Sequence, residues 1–133
     1  METILEMYGA TIYAVGAAAT LALIQLLVAD VVGITRKHVP GTTVHGDHSD
    51  LLFRVTRTVA NTNESIGIFV CATLFCILSL ASPTYTAYAA WIYVAARTLY
   101  ACCYYANLQT LRSICFVVVA LTLLALILIG FLT

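Results

Sequence analysis

Charge is what this sequence has least of. Only 9% of its 133 residues are Asp, Glu, Lys or Arg, against 62% hydrophobic, whereas a soluble domain is about one quarter charged. A water-facing globular surface is therefore excluded, and a bilayer is the solvent that fits. Proline is scarce as well, with only Pro40 and Pro83, so long helices can run without interruption. The five cysteines, Cys71, Cys76, Cys102, Cys103 and Cys115, are odd in number and contain no C-x-x-C pair, which argues against a disulfide framework or a zinc site. Net charge is zero, so no nucleic-acid partner is suggested.

What is present is long apolar sequence. Charge-free stretches cover residues 7–29, 65–96 and 113–133, and a membrane crossing needs about 20 residues. The middle stretch, extended back to Leu51 and divided at Pro83, supplies two crossings. The expectation is an all-α integral membrane protein, a four-transmembrane-helix bundle forming one domain, with helices over about 8–34, 51–81, 86–107 and 111–132. The start is acidic (Glu2, Glu6) with no basic residue, which predicts a retained first helix and not a cleaved signal. Small residues from Gly9 to Ala19 let a second backbone approach closely. The short connection after Asn107 makes helices three and four antiparallel neighbours.

The six basic residues set an orientation. Arg36 and Lys37 lie in the loop after helix one and Arg54 and Arg57 just beyond it, with Arg97 and Arg112 near the last bend, while the Ser82-Pro83-Thr84 turn has none. Positive-inside bias places the loop in the cytoplasm and both termini outside.

Two of these cytoplasmic ends carry spaced polar sets. At 100° per residue, Arg54, Arg57, Asn61 and Glu64 fall at roughly 0°, −60°, −20° and −80°, and Arg97, Tyr100, Tyr104 and Asn107 repeat that stripe. Ionisable groups in membrane helices are expensive and mark functional sites. Guanidinium groups grip carboxylates, Asn both donates and accepts, Glu accepts from an ammonium, and Tyr hydroxyls do either. A zwitterionic peptide matches this inventory.

Arg54-x-x-Arg57-x-x-x-Asn61-x-x-Glu64, together with Arg97-x-x-Tyr100-x-x-x-Tyr104 and the later Arg112-Ser113, resembles the signatures of the MAPEG family, membrane-associated proteins in eicosanoid and glutathione metabolism, and especially its bacterial branch. The resemblance implies a homotrimer in the bacterial inner membrane, with glutathione bound between subunits near the cytoplasmic face. It implies that Arg57, Asn61 and Glu64 hold the glutathione backbone, that Tyr100 and Tyr104 contact it from helix three, and that Arg112 lies near the sulfur, with Ser113 able to add a hydrogen bond. Arg36 matches a basic residue ending helix one more loosely, and Arg54 is either a ligand contact or an interface anchor. The implied activity is a glutathione transferase or peroxidase acting on lipophilic electrophiles or lipid hydroperoxides. The alternatives are a non-catalytic lipid-binding protein or a structural subunit of a membrane assembly. Ala60 and Ser65 depart from the prostaglandin-forming and leukotriene-forming relatives and count against those specificities.

Other polar residues have plainer expectations. Arg97 is expected to pair with Glu64 or Asp50 across helices. Asp30 is expected to pair with Arg36 or Lys37, or to face the site. The loop set His45-x-Asp47-His48-x-Asp50 has metal-ligating residue types, but in a flexible loop without a second motif it reads as solvated, and no metal is expected. Tyr8, Tyr13, Tyr85, Tyr88, Tyr93 and Tyr105 read as packing or interface aromatics.

Overall fold

A computed structural model describes residues 3–133 and shows four helices: α1 (Ile4–Thr35), α2 (Leu51–Leu78), α3 (Pro83–Tyr105) and α4 (Gln109–Phe131). Glu2, half of the acidic start, lies outside the described residues. α1 begins four residues earlier than expected because Thr3 and Glu6 form a reciprocal capping box: the Thr3 N–H donates to Glu6 Oε2 at 2.7 Å and the Glu6 N–H to Thr3 Oγ1 at 3.3 Å. The Thr-x-x-Glu spacing was legible as such a start, but hydrophobic length alone does not mark it. α3 likewise begins earlier, with Ser82 as cap and Pro83 in the first turn, where the missing N–H and fixed φ suit a helix start. It ends two residues before the expected Asn107, which takes φ 58° while the Leu108 N–H reaches back to Cys103 O at 2.8 Å. Asparagine tolerates that left-handed turn better than most side chains.

α1 and α4 both pack on α2 and α3 and not on each other. The core between them is built from small residues and a few rings: Ala14, Ala18, Ala72, Ala89 and Ala90 let helices approach, and Phe69 stacks on Tyr93 at 4.1 Å. Three helices, α1, α2 and α4, are long and apolar enough to cross a membrane, with mean hydropathies of 2.1, 1.4 and 3.1 over their best windows. α3 equals α4 at 23 residues but falls short in composition. The reason is its content of Thr, Tyr and Arg97, and it turns Thr86, Tyr93, Arg97, Tyr100 and Tyr104 inward.

At the end of the bundle remote from the basic residues the helices are tied together by neutral groups. Tyr8 donates its hydroxyl to Ala81 O at 2.5 Å, Trp91 Nε1 donates to Ala10 O at 2.9 Å, and Cys76 Sγ lies 3.1 Å from Leu126 O. Tyr93 is a core residue with its hydroxyl 2.9 Å from Ser65 Oγ. Trp91 is thus an inter-helix tie as well as an aromatic near the surface.

Candidate functional site

The basic end is organised around Arg97. This side chain is 1% exposed, so its charge is costly unless every donor is used. Its Nη1 donates to Asn61 Oδ1 at 2.7 Å and its Nη2 to Asn61 O at 2.9 Å, while Nε and Nη2 both donate to Ser65 Oγ at 3.1 and 2.5 Å. The expected ion pair with Glu64 or Asp50 does not form. Asn61 stands between instead, accepting from Arg97 and donating Nδ2 to Glu64 Oε2 at 3.3 Å. Ser65 is the partner that the polar stripe did not mark, although it lies one helical turn beyond Asn61.

Five of the expected site residues come together beside this network. Arg57 from α2, Tyr100 and Tyr104 from α3, and Arg112 and Ser113 from α4 line one cavity of about 460 Å³, walled on its apolar side by Phe116 and Val117. The Arg112 guanidinium sits over the Tyr104 ring at 4.5 Å and Arg97 over the Tyr100 ring at 5.0 Å, within the range of cation–π attraction. The tyrosines meet edge to face at 5.6 Å. Neither Arg57 nor Arg112 has an acidic partner among the described residues, where Arg36–Asp50 is the only ion pair. Ser113 Oγ donates to Gln109 O at 3.0 Å, so its lone pairs face outward more readily than its proton.

Asn61 and Glu64 line a second, smaller cavity of about 230 Å³ with Arg97 and Ser65, and Phe116 is common to both linings. The two remaining expected site residues lie elsewhere. Arg36 Nη1 pairs with Asp50 Oδ1 at 3.2 Å, and Asp50 caps α2 by accepting from the Leu52 N–H at 3.1 Å. Arg54 Nη1 donates to the His48 carbonyl at 2.7 Å. Both arginines hold the loop. Asp30 does not pair with Arg36 or Lys37; it lines a separate cavity with His38 and Thr42 between α1 and the loop.

Most of the loop is exposed, as its composition suggests, but His48 is half-buried. His48 lines the 460 Å³ cavity, its Nε2 lying 3.0 Å from the Tyr104 hydroxyl and its ring stacked at 5.6 Å on that tyrosine. No helical period could have announced a contact 56 residues away in sequence. Just before it, Asp47 accepts from both the backbone N–H and the hydroxyl of Ser49, and those bonds hold its carboxyl below the usual carboxylate range. No three His, Cys, Asp or Glu side chains gather as a metal site among the described residues.

Three helices suited to a bilayer, with cationic and phenolic groups converging on one cavity, define an integral membrane protein with a polar cavity at one end. Residues 12–132 match the profile of the MAPEG family, and the chain belongs to it. That family includes glutathione-using transferases and peroxidases. Comparison with curated proteins finds no match.

Proposed function

We propose that this protein is a membrane-bound, glutathione-dependent transferase or peroxidase acting on lipophilic electrophiles or lipid hydroperoxides. The observation that carries the reading is the pairing of Arg57 and Arg112, neither matched by an acid among the described residues, with the Tyr100 and Tyr104 hydroxyls around one cavity. Two guanidinium groups left without carboxylates fit a ligand that brings its own. The volume suits a small peptide, since ligand pockets commonly run from about 300 to 1,000 Å³. Glu64, exposed and bonded only to Asn61, is placed for an ammonium group.

Glutathione supplies the thiol. A free thiol titrates near pH 8.5, and the thiolate is the nucleophile. Arg112 would favour the thiolate, with the proton passing to water, and Tyr104 would donate a hydrogen bond to the same charge. Ser113 would assist after its hydroxyl turns from Gln109. In transfer, the sulfur forms a bond to the electrophilic carbon as that carbon's leaving bond breaks. An apolar co-substrate would enter past Phe116 and Val117 from the lipid.

The same reading takes the protein as a homotrimer in the bacterial inner membrane. In its support, Arg57, Asn63 and Glu64 are exposed on α2, a helix suited to span lipid, and such groups call for a neighbouring subunit to cover them. α3 would be the fourth crossing, because it runs between short turns from the end of α2 to the start of α4. The loop and site would face the cytoplasm with both termini outside, as the basic residues suggest.

The test is glutathione binding to detergent-purified protein, followed by the ultraviolet absorbance of the bound thiolate across pH. Saturable binding is expected, with Arg112→Ala losing most of the thiolate signal at neutral pH and the Arg57→Ala/Glu64→Ala double variant losing affinity. Binding unchanged in the double variant would overturn the site assignment, and no binding by the parent protein would overturn the glutathione reading.

A further inference from the structure

The loop between α1 and α2 contributes one side chain to the cavity, and four independent contacts fix where it goes. Arg54 grips the His48 carbonyl at 2.7 Å, Arg36 holds Asp50 at 3.2 Å, Ser49 closes a turn on Asp47, and Phe53 meets the His48 ring edge to face at 5.1 Å. A merely solvated histidine requires none of these. The consequence is an imidazole laid against Tyr104, its Nε2 3.0 Å from the hydroxyl oxygen.

We infer that His48 is a positioning residue of the ligand site: its Nε2–H donates to the Tyr104 hydroxyl oxygen and thereby turns the Tyr104 O–H proton into the cavity as a donor for the ligand's anionic group. This rests on the glutathione reading above for the identity of that group, but not for the bond itself. One proton must lie between Nε2 and the phenolic oxygen, and the two tautomers give opposite results. If Nε2 accepted, Tyr104 would turn a lone pair towards the cavity. If Nε2 donates, Tyr104 presents its proton, and accepting one hydrogen bond strengthens the hydroxyl as a donor in the next. The groups around the cavity select the second arrangement for an anionic ligand. Arg57 on α2 and Arg112 on α4 attract negative charge to it, and Tyr100 on α3 adds a further hydroxyl, while the nearest loop acids, Asp47 and Asp50, are engaged by Ser49 and Arg36. Arg54 then acts through His48, which gives it a role in the site without contact to the ligand.

The experiment uses the full-length protein in detergent with glutathione as probe, comparing His48→Phe, His48→Gln, Tyr104→Phe and the His48→Phe/Tyr104→Phe double variant. Phenylalanine keeps the stacking and loses the hydrogen bond, whereas glutamine keeps a donor. Expected are a roughly five- to tenfold loss of bound thiolate at neutral pH in His48→Phe, the size of one neutral hydrogen bond, substantial recovery in His48→Gln, and no further loss when His48→Phe is added to Tyr104→Phe. Unchanged thiolate in His48→Phe, or losses that multiply in the double variant, would overturn the inference. A ligand-free measurement separates its failure from that of the glutathione reading: the nitrogen-15 shifts of His48 should report a protonated Nε2 and should move in Tyr104→Phe. If they do so in a protein that never binds glutathione, the positioning contact stands and the glutathione reading falls; if they do not move, the inference falls whatever binds.

Discussion

The two ends of this bundle solve one problem, closing helices in a bilayer, by opposite means. At the Ala81–Ser82 end each tie is a neutral donor meeting one backbone carbonyl: Tyr8 to Ala81, Trp91 to Ala10, Cys76 to Leu126. At the other end Arg97 alone makes four hydrogen bonds, and Arg57 and Arg112 stand beside it without an acidic partner among the described residues. Unpaired cations are the opposite of what lipid rewards. The comparison teaches that the neutral end is tied by one donor per carbonyl, whereas the charged end holds donors in surplus, which on the proposed reading a ligand completes.

Breaking Arg97 should have the largest effect on stability. Arg97→Leu leaves Asn61 Oδ1 without its donor and Ser65 Oγ with only Tyr93 and Thr62, and each buried polar group left unsatisfied costs about 1–3 kcal/mol, on top of the packing lost with so large a buried side chain. Arg97→Lys keeps the charge but cannot present the same fork of donors, so it should fall between. Thermal unfolding in detergent orders the three proteins. An Arg97→Leu variant as stable as the parent would mean that the network is dispensable and that the contrast between the ends is not energetic.

How much of this was legible in sequence depends on what periodicity carries. A 3.6-residue period states which side chains share a helix face, so it could gather Arg57, Asn61 and Glu64 on one stripe and Tyr100 and Tyr104 on another. It does not state which face meets which. Asn61 therefore turned out to be spoken for by Arg97, with Ser65 sharing the load, and no acid was needed. Loops have no period at all, so His48 looked solvated, and nothing in the spacing announced that Arg36 and Arg54 would hold the loop. The capping box at Thr3 and the proline start of α3 were written in local sequence, and both extend helices beyond what apolar length suggested. α3 is the instructive case for composition: its polar residues lower its hydropathy, and a mean over the helix cannot tell that Thr86, Tyr93, Arg97, Tyr100 and Tyr104 face inward.

The neutral end is tested by crowding and by deletion. A Cβ on Gly130 would lie 2.5 Å from the Phe75 ring, which also meets the Phe131 ring at 4.9 Å. Gly130→Ala should cost about 1–3 kcal/mol through overpacking, and adding Phe75→Leu should recover part of it, measured as paired melting temperatures. Tyr8→Phe deletes only the bond to Ala81 O and should cost about 1 kcal/mol. Both should leave glutathione binding unchanged. A loss of binding in Gly130→Ala without loss of stability would join the two ends that the comparison separates.

The smallest effect belongs to the turn that presents His48. The Ser49 hydroxyl and N–H, both donating to Asp47, depress that carboxyl, and a carboxyl depressed on folding contributes stability that is present above its unfolded pKa and is lost as pH falls through the folded one. The turn should therefore be indifferent to pH near neutrality and loosen only on the acid side of the ordinary carboxylate range. Asp47 is fully exposed, so global melting should barely register the change. Ser49→Ala removes the hydroxyl donor but keeps the backbone one, and the Asp47 midpoint, followed by carboxyl carbon shifts in NMR, should move up towards the ordinary range without reaching it. Because the turn sits one residue from His48, the same spectra should show whether the imidazole stays on Tyr104 when the turn is weakened. An imidazole that keeps its place identifies Arg54 as the dominant hold, and one that leaves assigns that work to the turn.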